Sequence, residues 1–163
     1  MTVSSALLIK VRLPPRRDGG SSAHALRIRH AASGSVLAVS AGVRDQSLRA
    51  ARQAKLADGS LAVSVLRDAD RAFWTRTVWR DEAVMRSFMR SGVHRRIMAR
   101  LPVWCDEAAL ADWVQDATEP PSWSEVYRRL QKEGRRSRVD HPSDAQRRFD
   151  IREPLKSSGL VFK

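Results

Sequence analysis

FWTRTVWRDEAVMRSFMRSGVHRRIM, residues Phe73 to Met98, changes its periodicity at Trp79. Up to that point β-branched and aromatic residues dominate, as they do on a pleated strand. Beyond it, Met85, Phe88, Met89 and Gly92 fall at the i, i+3, i+4, i+7 spacing of one helical face. Asp81 can cap that helix, and Glu82 places negative charge in its first turn, where the helix dipole favours it. After a break at Gly92, His94, Ile97, Met98 and Leu101 repeat the helical spacing. Two roles suit a histidine on the apolar side of such a helix: it bonds a backbone carbonyl as part of the core, or it lines a ligand pocket opposite the tryptophan-bearing strand.

Outward from this stretch, LAVSVLR (Leu61 to Arg67) and AFWTRTVW (Ala72 to Trp79) flank DADR and predict a hairpin. The preceding residues, Ser35 to Lys55, carry alanine, valine and leucine at mixed three and four spacing, which predicts a helix ending near Asp58 to Ser60. Two strand-like runs come earlier, Ala6 to Leu13 and His24 to His30, separated by PPRRDGGSS. The second alternates cleanly, with His24, Leu26, Ile28 and His30 on one side and Ala25, Arg27 and Arg29 on the other. It is therefore the expected first core strand, and the earlier run an added edge strand. A further strand is expected over Ala108 to Gln115. The resulting order of strand, helix, strand, strand, helix, strand is that of a ferredoxin-like α+β sandwich. A proline pair and Ser122 then introduce a helix through Lys132, stopped by Gly134. The expected layout is an N-terminal extension over 1–22, a ferredoxin-like domain over 23–118, a C-terminal helix over 119–134, and a basic tail over 135–163 that is extended against a partner or disordered.

At 163 residues and 42% hydrophobic composition the chain suits one domain with its own core. No run approaches the roughly 18 uncharged apolar residues of a membrane span. The start lacks the pattern of a signal peptide and the single cysteine, Cys105, has no partner for an internal disulfide, so a cytoplasmic location is expected. The net charge of +12 invites a nucleic-acid partner, but the 30 basic residues are scattered and no recognition motif is present, so specific nucleic-acid binding is not expected. Arg27, Arg29 and Arg76 fall on strand faces opposite the apolar positions, which directs them to the sheet face that a second subunit would cover, with Asp112 a candidate counterion. Cys105 has no histidine at a useful spacing and reads as a structural thiol. Nucleophile-elbow, Walker and dinucleotide glycine motifs are lacking.

The layout, together with TVWRDEAVMRSFMRSGVHRRIM, resembles the antibiotic biosynthesis monooxygenase-like superfamily, most closely its poorly characterised bacterial members. The likeness covers about residues 24–134 and includes the helix in PPSWSEVYRRLQKEG. It implies a homodimeric α+β barrel and a monooxygenase-like oxidoreductase acting on a small apolar or aromatic metabolite. In the quinone-forming oxygenases of that superfamily, which need no cofactor, an asparagine before the strand-end tryptophan helps to hold the phenolic substrate; here Trp79 matches the tryptophan and Thr75 takes the asparagine's place. In the haem-degrading branch, the places of the iron-ligating histidine and the macrocycle-distorting aromatic residue fall on Met98 and Phe88, with His94 one helical turn before Met98. The leading expectation has His94 as the catalytic proton carrier and Trp79, Thr75, Phe88 and Met98 as substrate-binding residues, with no metal or cofactor required. Two alternatives stand beside it: haem bound through His94, and a noncatalytic module that holds a small ligand.

Overall fold

The computed structural model describes residues 4–14, 36–154 and 159–162. In chain order these form β1 (Ser4–Arg12), α1 (Val36–Leu56), β2 (Ser60–Arg67), β3 (Ala72–Trp79), α2 (Glu82–Met89), α3 (Gly92–Trp104), β4 (Glu107–Gln115), α4 (Trp123–Glu133), β5 (Arg135–Arg136), α5 (Asp144–Arg148) and β6 (Gly159–Phe162). The strands make one sheet in the order β5-β4-β1-β3-β2-β6, with every recorded pair antiparallel. Its centre, β4-β1-β3-β2 with helices in both crossovers, is the expected ferredoxin-like α+β arrangement. Among the described residues no helix is long and apolar enough to cross a membrane.

The first core strand corrects the sequence expectation. It is Ser4–Arg12, hydrogen-bonded between β3 and β4 along its whole length, and not an added edge. The alternating run at residues 24–30, with Arg27 and Arg29, lies outside the described residues. A boundary at residue 23 would therefore leave the central strand in an extension. The physical reason is that a strand covered on both faces reads as a continuous apolar run and shows no alternation. Leu7 and Val11 pack under the helices, while Ala6 and Leu8 pack on the opposite side.

That opposite side is also closed. Val126 and Leu130 of α4 are fully buried against Leu8, Trp74, Ala111 and Trp113, and Ile151 joins them from beyond α5. The sheet face that a second subunit was expected to cover is thus occupied by residues of the same chain. Residues beyond Gly134 are likewise more than an extended tail: β5 and β6 add to the two sides of the sheet, and α5 packs on β4. The anchor is Gln146, buried, whose side chain accepts from Ala108 N and donates to the carbonyls of Ala108 and Ser137. Arg76 does face this second side, stacked 4.2 Å over the Trp123 ring and donating to the Pro121 carbonyl. Burial lowers its pKa. Asp112 is not its counterion. The register sets Arg76 across from Leu8 and Ala111, whereas Asp112 lies across from Leu7, on the other face, and pairs with Arg135.

Candidate functional site

Between the sheet and the helices α1, α2 and α3 lies a cavity of about 60 Å³ with almost wholly apolar walls. β1 contributes Leu7, Ile9 and Val11; β3 contributes Phe73, Thr75 and Thr77; α1 contributes Ala50, Ala51 and Ala54. Phe88 enters from α2, and His94, Ile97, Met98, Leu101 and Trp104 from α3. Of the five residues expected from sequence, four (His94, Thr75, Phe88 and Met98) share this cavity. Trp79 does not reach it. Its side chain is fully buried behind Phe88, with ring centroids 4.7 Å apart, and its Nε1–H donates to Thr77 Oγ1 at 2.8 Å. Thr77 Oγ1 also lies 3.4 Å from the Leu7 carbonyl, so this hydroxyl is committed to the framework.

His94 carries the polar chemistry. Its Nδ1 lies 3.0 Å from the carbonyl of Met89, the last residue of α2. A carbonyl only accepts, so the neutral ring places its proton on Nδ1 and leaves a lone pair on Nε2. Nε2 is buried and has no partner among the described residues. The ring lies tilted against Phe88 with centroids 4.7 Å apart, and Phe88 links it to Trp79. Burial lowers the His94 pKa, opposed by the Met89 hydrogen bond, which favours the charged form. The unfolded chain, with an ordinary imidazole value of about 6.5, therefore takes up a proton first as the solution is acidified. Stability from this group is intact above that value and falls as pH drops from it toward the lower folded value.

The start of α3, which fixes His94, is built from a distance. Ser91 makes no side-chain cap. Gln53 of α1 does the capping, with Oε1 accepting from Val93 N at 2.6 Å and His94 N at 3.2 Å. Gly92 has φ +52°, and a Cβ there would sit within 2.8 Å of the Gln53 amide. Gly92→Ala should therefore both strain the backbone and displace the cap, at a combined cost of about 2 kcal/mol in urea unfolding. Unchanged stability would show that α3 starts without this contact.

Among the residues missed from sequence are Ile97, Leu101 and Trp104 on the cavity wall, and Gln53 behind it. The first three had a signal, since they continue the helical face that carries His94. Cys105 is buried, and desolvation, with Asp106 beside it, pushes its thiol up to about 12, which keeps it protonated and inert. Among the described residues no group of three or more His, Cys, Asp or Glu is placed to hold a metal ion. For haem, Nε2 of His94 is a suitable donor, but the space is not suitable. The cavity is smaller than the ~150 Å³ that admits benzene, and a tetrapyrrole would force α1 and α3 off the sheet. The residues present do not fit haem.

No family model matches this chain, and no curated protein matches it in sequence. Solved structures share its fold. PA3566 from Pseudomonas aeruginosa superposes with a TM-score of 0.52 at 11% identity, covering 72% of this chain and 98% of its own. NE2512 from Nitrosomonas europaea, a protein of unknown function, gives 0.51 at 14% identity, covering 74% and 97%. A conserved Bacteroides thetaiotaomicron protein of unknown function gives 0.50 at 8% identity, covering 71% and 100%. Proteins described as antibiotic biosynthesis monooxygenases also occur among the similar structures, at TM-scores of 0.49 and 0.41, but the likeness of fold rests on the three closer superpositions. At these identities the chain shares an α+β sandwich with these proteins, and the likeness is one of fold.

Proposed function

We propose that the chain is a monooxygenase-like oxidoreductase that acts, without a bound cofactor, on a small hydroxylated aromatic or otherwise apolar metabolite of which only the hydroxyl-bearing edge enters the cavity between sheet and helices. One observation carries this reading: the buried, unpartnered Nε2 of His94 on an apolar wall. A buried acceptor without a partner costs free energy, and a ligand hydroxyl donating to it would recover that cost. Thr75 offers a second hydroxyl in the same cavity, while Phe88 and Met98 supply apolar surface. In the proposed reaction Nε2 takes the phenolic proton, which makes the ring electron-rich enough to reduce dioxygen. A ring methylene then becomes a carbonyl, giving up four electrons, and the second oxygen atom leaves as water. His94 is neutral near pH 7 because burial depresses its pKa, so it is poised as a base.

The test uses oxygen uptake with an anthrone as substrate, together with quenching of tryptophan fluorescence to follow binding. His94→Gln keeps polarity and approximate size but cannot carry the proton. Uptake should fall by about 10²–10⁴-fold, with little change in melting temperature. In the unaltered protein, uptake should hold steady as pH falls through about 6.5 and decline only below it. Equal uptake by the glutamine variant, or binding that ignores His94, would remove the histidine from the chemistry and leave a core side chain.

A further inference from the structure

His94 keeps a lone pair on Nε2 only while its ring proton stays on Nδ1, against the Met89 carbonyl. That bond closes the turn from Met89 to His94, between α2 and α3. The turn does little to hold itself. Ser91 stands at the N-cap of α3 without capping it, and its hydroxyl donates back to the Phe88 carbonyl. Gly92 follows at φ +52°, a conformation that glycine adopts at low cost. The remaining contacts come from α1. Gln53 Oε1 accepts from Val93 N at 2.6 Å and from His94 N at 3.2 Å, while Gln53 Nε2 donates to Ser91 Oγ at 3.2 Å. Backbone N–H groups can only donate, so the amide has one orientation here. The same stretch of α1 lines the cavity through Ala50, Ala51 and Ala54. Gln53 therefore ties the residue that carries the lone pair to a wall of the same cavity.

We propose that Gln53 is a positioning residue for the base: by holding the turn from Ser91 to His94 it selects the His94 tautomer that can take a proton at Nε2. This rests on the reading above for the reaction, though not for the tautomer. The first N–H groups of a helix have no partner within it, so without the amide the first turn of α3 loosens. The ring then leaves the Met89 carbonyl, and the form with its proton on Nε2 becomes populated. In that form Nε2 is a donor and cannot accept the phenolic proton. The residue type follows from the geometry. One carbonyl oxygen with two lone pairs serves both backbone donors, and the NH₂ group serves Ser91. A glutamate would supply the first of these functions, and a methionine neither.

The experiment uses the full chain with isotopically labelled histidine, whose ring-nitrogen NMR shifts report the tautomer, beside oxygen uptake with the anthrone. The chain has four histidines, and the His94→Gln spectrum identifies the signal in question. In the unaltered protein that signal should be of the Nδ1–H form alone. Gln53→Met keeps the length and the helix propensity but removes the amide. Both tautomers should then appear, and kcat should fall by about 10²-fold while KM stays within about threefold. Gln53→Glu keeps the acceptor, so it should retain the Nδ1–H form and most of kcat; it carries the test should the methionine variant not fold. A methionine variant that melts earlier but keeps the tautomer and kcat would make Gln53 a helix cap alone and overturn the proposal. So would a folded glutamate variant in which both tautomers appear. A tautomer that follows Gln53 as expected, in a chain that takes up no oxygen, would leave the positioning role standing and bring down the reaction.

Discussion

Glu107→Ala is expected to remove about 3–5 kcal/mol of stability, the loss typical of breaking a buried ion pair from one side. Glu107 is buried at the head of β4 and accepts from Lys10 Nζ at 3.0 Å and Ser143 Oγ at 2.9 Å. Arg12 Nε is also 3.0 Å away, close enough for charge attraction although its N–H is not aimed at the oxygen. Lys10 is 5% exposed, on the central strand. Its other neighbour is the Trp74 ring at 5.6 Å, which does not replace a carboxylate. Burial pushes the Glu107 pKa up, but Lys10, Ser143 and Arg12 together outweigh it, so the folded value lies below the ordinary one. Stability from this group is therefore complete above the usual glutamate range and is lost as pH falls through the lower folded value. Its neighbour Asp106 moves the other way, raised by burial despite Arg12, so ionised Asp106 costs stability at neutral pH. Urea unfolding at pH 7 and pH 4 checks this: the deficit of Glu107→Gln relative to the unaltered protein should shrink in acid. A deficit that stays constant would mean that the carboxylate acts by shape alone. Joint replacement by apolar residues, Lys10→Met with Glu107→Leu, should recover most of the loss.

Trp79→Ala should cost about 3–5 kcal/mol, as large aromatic truncations in a packed core do. It should also lower ligand affinity, because Phe88 loses the ring behind it and His94 in turn loses the ring beside it. Trp79→Phe separates the two effects. It keeps an aromatic plane against Phe88 but drops the hydrogen bond to Thr77 Oγ1, worth about 1 kcal/mol. Affinity should stay within about threefold, under 1 kcal/mol, because the tryptophan does not line the cavity. A tenfold or greater loss in the phenylalanine variant would mean that the ligand reaches Trp79 after all.

The elements legible in the sequence were those whose signals are local. The hairpin around Asp68–Arg71, the Asp81 and Ser122 caps and the break before Gly92 depend on residues within a turn or two of each other, and each is present. Helical spacing made legible the apolar face of α2 that carries Phe88 and that of α3 that carries His94 and Met98, while their grouping in one site was what the family resemblance implied. The first strand was misassigned because burial on both sides erases alternation. The capping by Gln53 and the anchoring of Ala108 by Gln146 join residues 38 to 41 apart in sequence, and the closure of the second sheet face brings α4 onto Leu8 from the other end of the chain. An amide side chain has no pattern that names a distant backbone partner, so those contacts had no local trace.

The late position of α4 has a consequence for synthesis. Trp113 completes the aromatic surface of the second sheet face, but Ile151, the last described residue packed on it, follows 38 positions later. At the usual elongation rate of about 5–20 residues per second, that interval lasts roughly 2 to 8 s. During it the nascent chain presents Leu8, Trp74 and Trp113 with their cover still unmade, a sticky surface on a ribosome-bound intermediate. Yield in cells should therefore depend on chaperone supply and on translation speed through residues 114–151, even for variants whose finished fold is as stable as the original.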